Sequence, residues 1–259
     1  MREDTRAARL AAAQRALATA EANAGLRQRL VGVTTLARGE VAGAEAPEVP
    51  SAAVPPELLL PLPEGLAPLL PAGGLRRGTA VQVSGSTSLL LALAAAAGAG
   101  EVWCALMAMP DVGLAAAAEA GLDLTRTVVV PRPGPDAPAV LGALIDGFDV
   151  VVVGRCPALS DADRRGVATR LRTREAVLLV GDTWPGAQAV LEVGESAWFG
   201  VSDGAGVLTG REITVTSSTR GLGAPQRVRV RMAAGAGAVV VPARESTVPE
   251  TDLDWARAG

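Results

Sequence analysis

Several stretches of this chain are almost wholly β-branched or apolar, and helical patterns separate them. Thr79–Ser84 (TAVQVS), Glu101–Met109 (EVWCALMAM), Asp149–Val153 (DVVVV) and Ala176–Val180 (AVLLV) read as core strands, and Thr127–Val130 as a shorter one. A strand that is apolar on both faces has to be covered on both faces. Helical patterns at Ser88–Ala97, Val112–Ala120, Ala137–Ile145 and Asp161–Thr173, the last with Ser160 as N-cap, supply that cover. The expectation is an α/β domain with a mostly parallel central sheet. Beyond Trp184 the helical patterns stop, and Ala189–Val193, Glu212–Ser217 and Gln226–Met232 read as antiparallel strands extending that sheet.

The flanks differ in character. Residues 1–38 are rich in Ala, Arg and Leu, and Leu10, Ala13, Leu17, Ala20 and Ala24 form a narrow apolar stripe at helical spacing. This N-terminal helix, with Leu10 and Leu17 as its large apolar residues, is a candidate partner-docking element. Residues 39–72 are Pro-rich and read as a linker, with one helical turn near Leu58–Leu60. The core domain is expected over 73–241, and 242–259 reads as a polar tail. The chain opens MREDTRAARL, without the apolar stretch of a signal peptide, and its most apolar run, Leu89 to Gly100, is too short to span a bilayer. A soluble cytoplasmic protein is expected, with no membrane contact.

What is missing narrows the chemistry. The chain has 24 Lys+Arg, none of them Lys, and it has no His and no Tyr. The commonest general base and the commonest metal ligand are therefore absent. Cys104 and Cys156 are far apart in sequence and form no CxxC pair, so they read as buried free thiols. No metal, no cofactor and no catalytic residue are expected.

The most informative stretch is Gly73–Ala97, GGLRRGTAVQVSGSTSLLLALAAAA. A strand, a glycine turn and a helix form the frame of a phosphate-binding loop. A working loop needs GxxxxGK[ST]. Here Gly85-Ser86-Thr87-Ser88 runs straight into Leu89, about four residues short of that motif and without Lys.

These segments resemble the RecA recombinase core. Gly73-Gly74-Leu75-Arg76-Arg77-Gly78 is similar to the turn before the first core strand of that family, and Cys104-Ala105-Leu106-Met107 to the start of its next strand. GLDLTRTVVVPRPGPDAPAVLGALIDGFDVVVVGRCPAL follows the family's run up to the Walker B strand. The resemblance covers about Leu66 to Met232 and implies a RecA-like core. It also implies that the catalytic positions are degenerate: no Lys near Ser88, Pro110 where the activating Glu falls, and Gly154 where the Walker B Asp falls. Gly181–Ala187 is short where the recombinase has a DNA-binding loop.

Together with the Arg/Ala-rich helix and the Pro-rich linker, SGSTSLLLALAAAA and VWCALMAMPDVGLAAAAEAGLDL resemble the actinobacterial ImuA′ family, relatives of which are described as similar to the cell-division inhibitor SulA. That resemblance implies a non-catalytic accessory protein of an inducible translesion-synthesis complex. Its partners would be ImuB, a Y-family polymerase homologue, and an error-prone polymerase; a contact with the recombinase itself stays open. The other reading is a RecA-class ATP-dependent DNA-binding ATPase or recombination modulator.

Two further sets of residues are candidates. Arg227, Arg229 and Arg231 alternate with Val and share one face of a strand, either for phosphate or an acidic partner or as the solvated face of an edge strand. Few aromatics accompany them, so any DNA binding is expected to be weak. Asp111, Asp123, Asp136, Asp146 and Asp149 lie at strand or helix ends, where turns and caps favour Asp. Arg164, Arg165, Arg170, Arg172 and Arg174 read as a solvated helix face, and Trp184, Trp198 and Phe199 as core or loop anchors.

Overall fold

The computed structural model describes residues 54–202, 205–219, 224–233 and 240–242. The chain divides into two units, Met1–Ser51 and Ala52–Gly259. The N-terminal helix with Leu10 and Leu17 lies outside the described residues, as does the tail from residue 243.

In chain order the second unit contains β1 (Leu59–Leu60), β2 (Leu75–Arg76), β3 (Ala80–Ser84), α1 (Thr87–Ala97), β4 (Cys104–Met107), α2 (Leu114–Glu119), β5 (Thr127–Val130), α3 (Ala137–Gly147), β6 (Val150–Val153), α4 (Asp161–Arg174) and β7 (Val177–Val180), followed by β8 (Ala189–Ser202), β9 (Ala205–Thr219), β10 (Gln226–Ala233) and β11 (Val240–Pro242). Nine strands form one sheet in the order β11-β10-β9-β8-β3-β7-β6-β4-β5, and β1 pairs with β2 in a separate ribbon. The central strands are parallel and β9 to β11 antiparallel, so the fold is mixed α/β.

The four valines of β6 explain the layering. Val150 and Val152 face one core with α1, and Val151 and Val153 face the other with α3 and α4. Both faces are dry because successive side chains point to opposite sides of a strand. α1 begins where Ser86 caps it, its Oγ accepting from Leu89 N at 3.1 Å, and it is apolar all round because nearly every residue is buried. α4 is a surface helix. Ser160 and Asp163 form a capping box at its start, and Leu171 is its one buried side chain.

Three sequence expectations need correction. Ala189–Val193 was expected to pair antiparallel, but β8 runs parallel to β3, with Val81 opposite Ala189, and antiparallel only to β9. The chain crosses the sheet between β7 and β8 without a helix, so the absence of a helical pattern did not mean a hairpin. The Pro-rich stretch is also more than a linker from Leu60 onward. Leu60, Leu66, Leu69 and Leu70 join the core beneath β9 and β10. The turn near Leu58–Leu60 is a 3₁₀ turn over Pro56–Leu58, after which Leu59 and Leu60 form β1.

Cys104 is buried between α1 and the sheet, and its thiol is pushed up to about 12, by burial first and then by Asp149 and Asp123. In the unfolded chain the thiol ionises near 9.0. The contribution to stability is therefore full below that pH and is lost as the pH rises toward 12. Urea melts should show stability falling above pH 9, and Cys104→Ala should flatten that fall. An unchanged pH dependence in the variant would contradict this assignment. Among the described residues, no helix is long and apolar enough to cross a membrane, and no group of three or more His, Cys, Asp or Glu is placed to hold a metal.

Candidate functional site

Ligands of open parallel sheets gather at the carboxyl ends of the strands, and the glycine turn after β3 lies at such an end. Gly85 has φ +88, and a Cβ there would meet Val193 O at 3.0 Å. Glycine is thus required for the turn itself. The hydroxyl of Ser86 is already committed as the cap of α1, and Arg211 Nη2 from β9 donates to the same oxygen at 3.4 Å. Thr87 opens the helix, and Ser88 faces a groove described below.

At the neighbouring strand ends, backbone fills the space a carboxylate would need. Ala108, just after β4, has φ +56, and its N–H donates to Val130 O at 3.0 Å. Gly154 N–H donates to Met107 O at 2.9 Å. A Cβ on Gly154 would overlap Ala108 O and lie 2.7 Å from Met109 Cγ. Residue 154 is a glycine because β6 and the end of β4 approach too closely there for any side chain; this is where the RecA resemblance would put the Walker B Asp. Pro110, where the RecA resemblance would put the activating Glu, is exposed and offers no proton-accepting side chain.

The loop after β7 is tied down by an arginine that the sequence suggested was solvated. Arg164 Nη1 donates to Thr183 O at 2.7 Å and Nη2 to Cys156 O at 3.4 Å; the guanidinium pairs with Asp182 at 3.7 Å and lies over Trp184 at 5.7 Å. Its side chain is only 12% exposed. Arg170 and Arg174 pair with Asp146 at 3.4 and 3.1 Å, and Arg172 donates to Thr169 Oγ1. Asp149 accepts from Trp103 N and pairs with Arg77 at 3.1 Å, joining β4, β6 and the strand-to-strand turn before β3. Asp123 caps the turn before β5, and hydrogen bonds from Thr125 hold its carboxyl below the usual range. These carboxylates are structural. Asp111 is exposed after β4.

Arg227, Arg229 and Arg231 do share one exposed face of β10. β10 is not an edge strand, since β9 pairs along its length and β11 covers its end. Glu212, opposite Arg231, lies 3.6 Å from Arg229 and 3.7 Å from Arg231, and Arg231 stacks on Phe199 at 4.6 Å. Two of the three charges are therefore partly answered within the sheet.

β8 and β9 continue past the sheet as a long hairpin, paired out to Ser202 and Ala205. Trp198, Val201, Val207 and Leu208 on this hairpin are 58%, 50%, 78% and 47% exposed. Trp198 is thus no core anchor, whereas Trp184 is buried. Between the hairpin, α1 and α2 runs a groove of about 220 Å³, lined by Leu91, Ala116, Ala120 and Met232, with Ser88, Glu119, Trp198 and Arg211 at its polar margin. The guanidinium of Arg211 lies 5.3 Å from the Trp198 ring centre, and its Nε is buried without a partner. Arg211 is not among the candidates that the sequence offers. The one available signal was Asp203-Gly204 between alternating runs, a hairpin cue.

Comparison with known proteins gives relatives but no activity. The chain is 41% identical over 127 residues to an uncharacterized protein of Mycobacterium tuberculosis, Rv3395c, an alignment spanning 48% of this chain and 62% of that relative's length. Residues 68–186, from the last turn before β2 to the loop after β7, match the family model described as the MT3502 N-terminal domain.

Proposed function

We propose that this chain is a non-catalytic accessory protein with a RecA-like core, acting in an inducible translesion-synthesis complex through contacts with a Y-family polymerase homologue and an error-prone polymerase. The observation that carries the non-catalytic reading is the close approach of Ala108 to Gly154, which leaves no room for a metal-holding carboxylate at that strand end. Ser86, spent on capping α1, and the missing Lys support it. A central β3 whose glycine turn opens a buried helix supports the RecA-like reading. The exposed apolar hairpin supports contact with another protein, since such patches on soluble domains mark interaction surfaces.

The test is co-purification. Tagged full-length chain from cells exposed to a DNA-damaging agent should bring down the Y-family homologue, and Trp198→Ala with Val207→Asp should reduce the recovery at least several-fold. Recovery of the recombinase alone, or measurable ATP turnover, would favour a RecA-class ATPase instead. DNA binding should be weak, salt-sensitive and indifferent to sequence, because only a few arginines face solvent together. Replacing Arg227, Arg229 and Arg231 by Gln should abolish what binding there is. Tight binding that survives the triple change at physiological salt would contradict this.

A further inference from the structure

We infer that the groove between the β8–β9 hairpin, α1 and α2 receives a short segment of a partner protein in which a carboxylate sits beside a large apolar side chain, with Arg211 as the group that reads the carboxylate. The inference rests on the reading of this protein as a docking partner and goes further by naming the surface and the chemistry it selects.

The charge at Arg211 is unanswered. Arg77, Arg164, Arg170, Arg174, Arg229 and Arg231 each have a carboxylate partner. Among the described residues Arg211 has none, although it is partly buried; among them its Nε is shut away without a partner and its one hydrogen bond is a long one to Ser86 Oγ. A guanidinium withdrawn from water normally finds an anion. This one also lies at the amino end of α1, where the helix dipole adds positive potential rather than relieving it. Both features call for a negative group from outside.

The rest of the groove calls for an apolar one. Leu91, Ala116, Ala120 and Met232 form its floor and walls, and the exposed ring of Trp198 lies beside the guanidinium. An alkyl or aromatic side chain would fill the cavity while the adjacent carboxylate took a planar, two-pronged contact from Arg211. Val201, Val207 and Leu208 on the same hairpin are also exposed. Glu119, at the margin of the groove, would repel a second carboxylate there.

A labelled peptide with the core Asp-Leu-Asp-Trp, acetylated and amidated so that its termini carry no charge, serves as the probe in fluorescence anisotropy with the full chain. Saturable binding is expected, weakened about ten-fold when the peptide's Asp residues become Asn, and weakened by a similar factor in Arg211→Gln. Glu119→Gln, at an exposed position, should tighten binding of the Asp peptide and not of the Asn peptide. The Glu119 variant keeps the test alive should Arg211→Gln disturb the Ser86 turn. Equal binding of the Asp and Asn peptides, no effect of either variant, or no saturable binding would each overturn the inference. So would binding that appears only after residues 243–259 are deleted, because that segment carries Asp252-Leu253-Asp254-Trp255 and would then be the occupant. If the peptide binds as expected while the polymerase homologue fails to co-purify, the groove assignment stands and the translesion role falls.

Discussion

Gly154→Asp, which places a carboxylate where the RecA resemblance would put the Walker B Asp, is expected to unfold the protein rather than give it a metal site. The new Cβ would overlap Ala108 O and lie 2.7 Å from Met109 Cγ. The carbonyl cannot retreat easily. Ala108 already holds a left-handed conformation, its N–H is bonded to Val130 O, and Gly154 N–H is bonded to Met107 O. Overpacking against fixed backbone, together with a carboxylate pressed toward an apolar core, belongs to the severe class of substitutions, at about 4 kcal/mol or more. Gly154→Ala should fail for the steric part alone. Gly181→Ala is the control one strand away: its Cβ would meet Leu90 Cδ2 at 3.4 Å, an ordinary contact, and it should shift stability by less than about 1 kcal/mol. Urea unfolding of the three variants checks the ordering. A stable Gly154→Asp protein would show that the strand ends are not closed as described.

The second large effect lies in the Pro-rich stretch. Leu69→Ala should destabilise the domain by roughly 2–5 kcal/mol, the range for emptying a fully buried leucine site. Leu69 is 0% exposed and Leu66 1%, both packed into the core that contains Ile213, Val215 and Val230. For a domain of this size the melting temperature should fall on the order of 10 °C. A tether that merely separates two units would show almost no change, so a melting temperature within a degree or so of the parent would return residues 60–70 to linker status.

Much of the sheet was legible because its signals are local. Val150–Val153 could hardly be anything but a strand buried on both faces, and Ser160 as N-cap marked the start of α4 to the residue. The failures are non-local. Pairing direction is a property of two strands, and nothing within Ala189–Val193 states that its neighbour is β3. The leucines at 60, 66, 69 and 70 were obscured by the prolines around them, which suit both a linker and an irregular segment pressed onto a sheet. In the hairpin, Gly194, Gly200 and Gly206 interrupt the alternation, and register shifts at Val193/Ser196 and Phe199/Val201 break the period of two on which strand recognition depends.

The candidate site shows the same division. The loss of Lys and the short glycine turn were visible as residues, whereas the reason for Gly154 was not, since it lies in the backbone of Ala108 on another strand. Arg164 and Arg211 illustrate the limit most clearly. By sequence Arg164 reads as part of a solvated helix face, and Arg211 is marked by nothing around it. One clamps two loops against Trp184, and the other lies in a groove beside Trp198. A side chain's role depends on where its tip arrives, and an arginine reaches too far for its own neighbours in sequence to tell.

The turn at Gly85–Ser88 opens α1, and we propose that it holds no nucleotide. Thermal melting of the full chain across a titration of Mg-ATP tests it most directly, because a ligand bound to the native state raises the melting temperature in proportion to its occupancy. The expected result is a melting temperature that stays flat into the millimolar range, with no release of phosphate. A saturable rise, abolished by Ser86→Ala or Arg211→Gln in protein that remains folded, would contradict it.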